Sequence, residues 1–439
     1  MLEHPVVPPA GAAAAPLYER PGRGWSYADF QAEPLLFFLE PYRRLGPAFR
    51  VELDGAETHV IAGPESNEFF MLARDLWSYR RSFSFIAHLI EQDLITLDGP
   101  AHAAKRQRMM PSFRLDMLDR QAAGMHQSLV ELLEERAGAA SDLRDLMNLA
   151  FFRQASHGLG MRLEDEVFAA VLEAEKYILQ GTAHDIAHSE LGRQAEAAFA
   201  RVTGLIRPHL AERLARGGED DMLTLMAARH TASGSMPARR ELEDDVAVLL
   251  LAGVENGAHI ILWTLLLLHA NPGWTQEVLA ELADLPSGDE LSPARAPKLH
   301  ATIFESERLR PPFPILPRVA VRDFELGGRL VPGGAPIIHA LTLVQFMEEH
   351  FEAPLEFRPQ RHLGSRQLTK LHAAFGMGLH RCIGMSQSRH QAAITLRELL
   401  CNWEIEYGFQ PSLGYRMEAA VTPAETRLPV TVRRCASGG

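Results

Sequence analysis

The stretch Phe375-Gly376-Met377-Gly378-Leu379-His380-Arg381-Cys382-Ile383-Gly384 places one cysteine between closely spaced glycines, immediately before a helix-compatible run. A free thiol, with a pKa of ~8.5, becomes a thiolate readily at a helix N-terminus, where unpaired backbone N–H groups favour negative charge. The glycines permit close backbone approach, and His380 and Arg381 supply positive charge for an anion. The stretch predicts a sulfur-ligated haem iron; the alternative is a buried cysteine beside a glycine-rich turn.

The pattern Phe-Gly-x-Gly-x-His-x-Cys-x-Gly resembles the haem-ligand signature of the cytochrome P-450 family and matches it at all six fixed positions. By that resemblance, Cys382 is the metal ligand of haem b, and Phe375, His380 and Gly384 contact the cofactor. The implied fold is mainly α with a smaller β-rich region. It is expected to form a single domain over residues 1–439, with a flexible segment at residues 1–20, as in soluble, bacterial-type members.

The net charge and the number of cysteines indicate which partners and which cellular compartment the protein can have. The chain has 439 residues, a formal net charge of −12 and three cysteines. The acidic balance argues against a nucleic-acid partner, and so few cysteines indicate an intracellular, cytoplasmic protein with reduced thiols. The N-terminal residues lack a signal-peptide pattern. The apolar run from Val246 to Ala270 is interrupted by polar residues, so we expect a buried helix and no membrane partner.

Apolar residues recurring three and four apart predict a mostly helical chain. Alternating β-branched runs predict a small sheet, and Gly327-Gly328 is typical of a hairpin turn. Residues Gly217–Arg240 have loop-like composition, which predicts a mobile connection. The predicted helices cover residues 102–110, 116–137, 164–180, 190–216, 242–270, 274–284, 298–309 and 385–400, and the predicted strands Ala48–Leu53, Thr58–Ala62, Arg318–Val321 and Val430–Val432.

Two further sets of residues resemble family motifs. Glu305 and Arg308 lie three apart on a predicted helix and Arg361 follows downstream, which resembles the family's structural Glu-x-x-Arg pair and its later arginine. The alternative for Glu305 and Arg308 is a solvated surface ion pair. His102 and Arg106 resemble the family's haem-contacting His-x-x-x-Arg helix, and Arg318 resembles its strand arginine. With His380, these side chains are expected to hold the two haem carboxylates.

The long predicted helix contains Ala252-Gly253-Val254-Glu255-Asn256-Gly257. In the family, an Ala-Gly-x-Asp/Glu-Thr-Thr stretch passes over the haem, where an acid and an alcohol organise proton delivery to dioxygen. The resemblance makes Ala252, Gly253, Glu255 and Asn256 catalytic candidates. An amide cannot relay a proton as a hydroxyl does, so water or a substrate hydroxyl is expected to complete the relay. Alternatively, Asn256 only satisfies backbone groups at a helix kink.

Apolar side chains near these motifs are candidates for a pocket that binds a moderate-sized organic substrate. A substrate from bacterial secondary metabolism, free or tethered to a carrier protein, is expected by resemblance. Each side chain alone is more often core than pocket. The candidates are Phe83, Phe85, Ile86, Leu89, Leu249, Ile315, Leu316 and Val421.

Electrons for the implied reaction come from outside the chain, because no Gly-x-Gly-x-x-Gly fingerprint for a flavin or nicotinamide is present. Ferredoxin and ferredoxin reductase are the implied donors. A basic patch formed by Lys105, Arg108, Arg114, Arg381 and Arg389 is expected to receive the acidic ferredoxin.

Three functions remain open from the sequence. The resemblance favours a monooxygenase that uses dioxygen to hydroxylate or epoxidise its substrate. Asn256 and Gly257 also suit an oxidase that performs ring formation, bond coupling or peroxide-driven oxidation without net oxygen insertion. The third alternative is a haem-containing binding protein without turnover.

Overall fold

The computed structural model describes residues 13–19, 25–73, 75–84, 86–180, 189–217, 221–231, 239–286, 291–418 and 420–435. The described chain is mainly helical with several small sheets, as the sequence predicts. The helices are α1 Tyr27–Ala32, α2 Leu39–Leu45, α3 Gly63–Leu72, α4 Gly99–Met109, α5 Leu115–Arg136, α6 Leu143–Gly158, α7 Asp165–Gln180, α8 Glu190–Arg216, α9 Met222–Thr231, α10 Arg239–Ala270, α11 Pro272–Ala283, α12 Pro297–Leu309, α13 Arg366–Leu371 and α14 Met385–Asn402.

The strands are short and belong to four sheets. The largest sheet has the order β2-β3-β9-β6-β4, and the others have the orders β1-β8-β7, β10-β13-β5 and β11-β12. The strands are β1 Ala13–Ala14, β2 Ala48–Leu53, β3 Ala56–Ala62, β4 Trp77–Ser78, β5 Ala140–Asp142, β6 Leu316–Ala320, β7 Phe324–Leu326, β8 Arg329–Val331, β9 Pro336–Ala340, β10 Trp403–Tyr407, β11 Tyr415–Met417, β12 Val421–Pro423 and β13 Pro429–Arg434.

Helix α10 is the central element, because it packs against α6, α7, α8, α11, α12 and α14. Arg240–Ala270 is the one helix in the described residues that is long and apolar enough to cross a membrane. However, 72% of its most apolar window is buried inside the fold, which is typical of a core helix. Trp263 of α10 is fully buried, and its Nε1 donates a hydrogen bond to the carbonyl of Val421 at 2.9 Å.

The predicted helices are confirmed with shifts of a few residues at their ends, and so is the hairpin at Gly327-Gly328, which joins β7 to β8. Both glycines have positive φ, the conformation that such a turn requires. Of the segment 1–20 that was predicted to be flexible, residues 13–19 are described. Within them, Ala13–Ala14 pairs with β8.

Two predictions about secondary structure need correction. The segment Gly217–Arg240 is not loop throughout, because α9 lies inside it and packs against α4. The shorter helices α1, α2, α3 and α13 were not predicted, and neither was the 16-residue helix α6. Its buried residues lie on almost every side of the helix, from Leu143 to Gly158, so its sequence lacks a clear polar face.

Candidate active site

The cysteine loop lies between α13 and α14 and is shaped by glycines in the left-handed region. Gly376 and Gly378 have φ of 72° and 63°, which other residues rarely adopt. A β-carbon on Gly378 would lie 3.2 Å from the carbonyl oxygen of Phe70, so this glycine also permits close packing on α3. The Cys382 N–H donates to the carbonyl of Phe375 at 2.8 Å. The loop therefore fixes the cysteine directly before α14.

Cys382 opens onto a cavity inside the fold. Its side chain is exposed, yet it lines a cavity enclosed by α4, α6, α10 and the cysteine loop. Water-sized spheres can occupy about 290 Å³ of this cavity. Burial raises the pKa of the Cys382 thiol, although the backbone N–H groups of Gly384 and Met385 and the charge of Arg106 oppose that effect. Burial of the thiol therefore opposes the helix N-terminus that was expected to favour the thiolate, and a metal cation would supply the missing counter-charge.

A cluster of cationic and imidazole side chains lies at one edge of the same cavity. The rings of His102 and His380 stack with centroids 3.8 Å apart. The Arg318 guanidinium lies over the rings of Tyr79 and Trp77, at 4.2 and 4.8 Å from their centroids. His102, Arg106 and His380 line the cavity. Arg318 does not line it but contacts Tyr79, which does.

The protonation of this cluster fits an anionic guest. Burial, together with the nearby charge of Arg106, lowers the pKa of His102 to about 4. Burial, His102 and two arginines lower the pKa of His380 to about 2. The two histidines are therefore neutral beside the arginines, and carboxylates bound here would offset the positive charge of the arginines.

The residues present fit haem. Among the buried nitrogens without a hydrogen-bond partner in the described residues, four belong to this cluster and the cysteine loop: Nδ1 of His102, Nδ1 of His380, Nε of Arg318 and Nε of Arg381. Buried polar groups are rarely left without partners, so such a group of orphans indicates a missing ligand. The two propionates of a porphyrin offer acceptors of the required charge, and Cys382 offers a soft sulfur ligand for its iron.

Helix α10 forms another wall of the cavity. Ala252, Gly253 and Asn256 line the cavity, as expected if they face the reaction site. The Nδ2 of Asn256 donates to the carbonyl of Ala252 at 2.9 Å, four residues back in the helix. Its amide N–H is therefore partly used within the helix, and its Oδ1 remains as an acceptor.

Glu255 does not line the cavity. Its carboxyl group lies on another side of α10, near Arg144, Asp145 and Glu418, and burial raises its pKa. Glu175 on α7 is buried with its Oε2 unpaired, and its pKa is raised well above the usual value by burial and by Glu255. Glu255 therefore cannot deliver a proton to the cavity directly, because its carboxyl group lies on a different face of α10 from Asn256.

The predicted structural residues come together. Glu305 and Arg308 form a fully buried ion pair through two hydrogen bonds of 2.8 and 2.9 Å. The Nε of Arg361 donates to Glu305 at 3.1 Å. His362, which the sequence analysis did not single out, also contacts Glu305 at 2.8 Å. The alternative of a solvated surface pair is wrong, because both side chains are 0% exposed.

Of the predicted substrate contacts, Leu249 and Leu316 line the cavity. Phe83, Ile86, Leu89, Ile315 and Val421 do not, and Phe85 lies outside the described residues. Ile86 and Val421 are packed in the core, whereas Leu89 lines clefts at the surface. Their apolar character serves packing equally well, which is why sequence alone did not separate the two uses.

The predicted basic patch is not a continuous surface. Lys105 is 1% exposed and is held between Asp245 and Glu241 of α10. Arg389 forms a bidentate ion pair with Glu307. Arg114 remains well exposed beside Asp116. Lys105 and Arg389 are therefore neutralised within the fold, which their positions in the sequence did not reveal.

The sequence is similar to known proteins of one family. A family model described as Cytochrome P450 matches residues 24–425. Cyclooctat-9-en-7-ol 5-monooxygenase of Streptomyces melanosporofaciens is 26% identical over 392 residues, which cover 84% of this chain and 85% of the relative. Putative cytochrome P450 139 of Mycobacterium bovis is 25% identical, with 87% of this chain and 93% of the relative covered.

Solved structures show the same fold. The crystal structure of the cytochrome P450DA heme domain superposes with a TM-score of 0.81 at 19% identity and covers 96% of this chain and 98% of the neighbour. The retinoic acid-bound cyanobacterial CYP120A1 gives the same TM-score and identity, with 96% of this chain and 100% of the neighbour covered. At this identity the similarity concerns the fold.

Proposed function

Since the chain belongs to the cytochrome P450 family of haem-dependent oxidoreductases, we propose that it is a monooxygenase that binds haem b through Cys382 and oxidises a moderate-sized organic substrate with dioxygen. One observation carries this proposal: Cys382 and the α10 residues Ala252, Gly253 and Asn256 line the same internal cavity. A sulfur ligand and the α10 residues on one cavity suit oxygen activation at a haem held there.

The residues of the chain have distinct roles in this mechanism. Cys382 would hold the iron, and His102, Arg106, Arg318 and His380 would hold the propionates. When bound, the haem supplies reductive activation of dioxygen, which thiolate ligation favours. Phe375 and Gly384 complete the wall around the sulfur, where a β-carbon on Gly384 would lie 3.8 Å from it.

Proton supply is the proposed role of the α10 polar residues. Asn256 already donates to Ala252, so its Oδ1 can orient a water molecule or a substrate hydroxyl at the cavity wall. That hydroxyl would carry the proton, since a carboxamide has no proton to exchange in this way. Glu255, whose pKa is raised by burial, is the proposed proton-holding group on the other side of the helix.

The substrate is proposed to be a mainly apolar molecule of secondary metabolism. Besides Leu249 and Leu316, the cavity is lined by apolar residues such as Leu94, Val248 and Phe313. Such walls bind by burying apolar surface, while a few polar groups fix orientation. The Streptomyces relative acts, by its name, on an organic alcohol, which is consistent with this class. The substrate could be free or tethered to a carrier protein.

We place the protein in the cytoplasm, reduced by ferredoxin and ferredoxin reductase. Its three cysteines are free, which suits a reducing compartment. Arg114, at the exposed start of α5, is a proposed contact for an acidic ferredoxin.

Oxidation without oxygen insertion is a second candidate. It is favoured by Asn256 in place of the family's threonine, because weaker proton delivery to dioxygen would favour routes that use peroxide or couple bonds directly. The monooxygenase proposal predicts that a product formed under ¹⁸O₂ carries one labelled oxygen, whereas the second candidate predicts an unlabelled product.

The test of the proposed function begins with the ferrous carbon monoxide spectrum of the purified holoenzyme. A thiolate-type spectrum in the parent that is lost in Cys382→Ser is expected. Cys401→Ser is the matched control, because Cys401 lies at the far end of α14 and should leave the spectrum unchanged. A parent spectrum that survives Cys382→Ser would overturn the assignment of the ligand.

A further inference from the structure

Asp93 is a buried carboxylate at the boundary of the cavity. It lies in the loop before α4, is 5% exposed, and lines the cavity that contains Cys382. It also lines a second cleft at the start of α10, together with His88, Glu91 and Asp245. The Ile95 N–H donates to its Oδ1 at 2.9 Å, which fixes the carboxyl group in place.

The α10 carboxylates around Asp93 each have a cation, whereas Glu91 on the same cleft is exposed to solvent. Lys105 of α4 forms ion pairs with Asp245 and, at 3.3 Å, with Glu241. Arg108 lies 3.7 Å from Glu241, and Arg240 lies 3.9 Å from Asp244.

Three carboxylates of α10 are thus matched by three cations. Asp93 forms no ion pair with any residue in the described part of the chain, and the Lys105 charge that acts on it is shared with Asp245 and Glu241. A buried carboxylate without a partner is costly and favours a ligand that supplies one.

We propose that Asp93 is a specificity-determining residue that makes this cavity select substrates carrying an organic cation, such as a protonated or quaternary amine. The proposal rests on the proposed function in one respect, namely that the cavity is the substrate site. Its apolar neighbours Leu94, Ile95 and Val248 would hold the hydrocarbon part of the same molecule.

The charge of Asp93 is set by its surroundings. Burial, and then Asp245, raise its pKa to about 7, with a smaller contribution from Asp244, while Lys105 and the Ile95 N–H act in the opposite direction. From the cavity side, His102 and Arg106 also line the walls. An entering cation would favour the ionised carboxylate, so the affinity for a cation should rise as the pH increases through about 7.

The experiment measures binding of two probes to the holoenzyme by equilibrium dialysis at about pH 8, above the pKa of Asp93. The cationic probe is (3-phenylpropyl)trimethylammonium, whose quaternary nitrogen cannot ligate iron, and the neutral probe is its tert-butyl isostere. We expect the parent to bind the cation on the order of tenfold more tightly than the isostere. Asp93→Asn should remove this preference while leaving the affinity for the isostere unchanged.

The matched control is Asp116→Asn, which removes an exposed carboxylate at the start of α5, away from the cavity, and should keep the preference for the cation. A parent without the preference, or an Asp93→Asn variant that retains it, would overturn the proposal. If Asp93→Asn does not fold, the parent decides the matter, because a cation affinity that stays flat across pH 6 to 8 (about one pH unit either side of the pKa) would also refute it.

Failure of this inference is distinguishable from failure of the proposed function. The carbon monoxide spectrum and the oxygen label report on the haem and on the reaction, and neither depends on Asp93. Probe binding, in turn, requires no turnover. A thiolate-type spectrum with no preference for the cation would therefore reject the substrate class alone.

Discussion

The ring of Phe151 on α6 lies against the backbone of Gly257 on α10, so that a β-carbon at position 257 would lie 2.0 Å from Phe151 Cε2. Within this family a threonine is expected at that position, but the close contact between the two helices leaves no room for one. Gly257 is therefore explained by packing, and Asn256 is the nearest polar side chain on that turn that lines the cavity.

Gly257→Ala is expected to destabilise the fold by about 1–3 kcal/mol, because the overpacked site must displace Phe151. The loss should appear even though alanine favours a helix over glycine by about 1 kcal/mol. Urea unfolding followed by circular dichroism measures this. Gly253→Ala is the matched control, since its β-carbon would lie 3.8 Å from Phe151, an ordinary contact. Equal stability of the two variants would contradict the packing argument.

Glu305→Gln is expected to reduce the free energy of unfolding by about 3–5 kcal/mol, because it leaves the buried Arg308 without its counter-charge. Haem retention during gel filtration should fall in parallel. Glu352→Gln is the control: its side chain is 90% exposed beside Arg358, and exposed pairs contribute about 0–1 kcal/mol. If both variants unfold at the same urea concentration, the buried ion pair contributes no more to the free energy of unfolding than the exposed one.

Asn256→Thr is expected to keep haem binding and stability but to change the fraction of reducing equivalents that reach product. Threonine would restore a hydroxyl at the cavity wall, which can exchange a proton where the amide cannot. Product formed per NADPH consumed is the measurement. Asn271→Thr is the control, because Asn271 makes the same type of hydrogen bond, to Leu267, at the far end of α10. Unaltered coupling in Asn256→Thr would exclude Asn256 from proton delivery.

His259 should make the protein less stable in mild acid. Burial lowers its pKa from 6.5 to about 4, although its hydrogen bond to the carbonyl of Arg310 opposes that effect. The folded state therefore resists protonation. Stability conferred by the neutral ring is present above pH 6.5 and is lost as the pH falls towards 4.

Between pH 7 and pH 5 the linkage amounts to about 2 kcal/mol. In His259→Gln, the decline of the unfolding free energy over this interval should be smaller by that amount, as measured by urea titrations at both pH values. His350→Gln serves as the control, because His350 is only half-buried, in the turn of residues 348–350. An identical pH dependence in parent and His259→Gln would show that another group titrates.

The sequence predicted most of this architecture because its signals are local. The motif around Cys382 has fixed spacing, and helices such as α5 bury one face, with Met125, Leu129 and Leu133 on it. Helix α6 escaped prediction because nearly all of its sides are buried. The pairing of Lys105 with Asp245 was equally out of reach, since 140 residues separate the two side chains in the chain.

Some residues of the site also could not be predicted from local sequence patterns. His362 directly follows Arg361 in the sequence, and this adjacency was the available signal that it also reaches Glu305. No comparable signal marked Asp93, which became notable only when its neighbours proved to be matched by cations. Burial and charge balance are properties of the folded surroundings, and residue types along the chain do not encode them locally.

The three residues of β5 pair with β13 near the end of the chain, and the Leu428 N–H donates to Asp142, the residue that caps α6. On the ribosome, Asp142 is synthesised 286 residues before its partner Leu428. Helix α6 can therefore form its local cap, from Asp142 to the Arg144 N–H, before its contact with Leu428 exists. A nascent chain stalled before β13 would lack this contact at the start of α6, whereas the packing of α6 on α5 and α10 involves only residues made earlier.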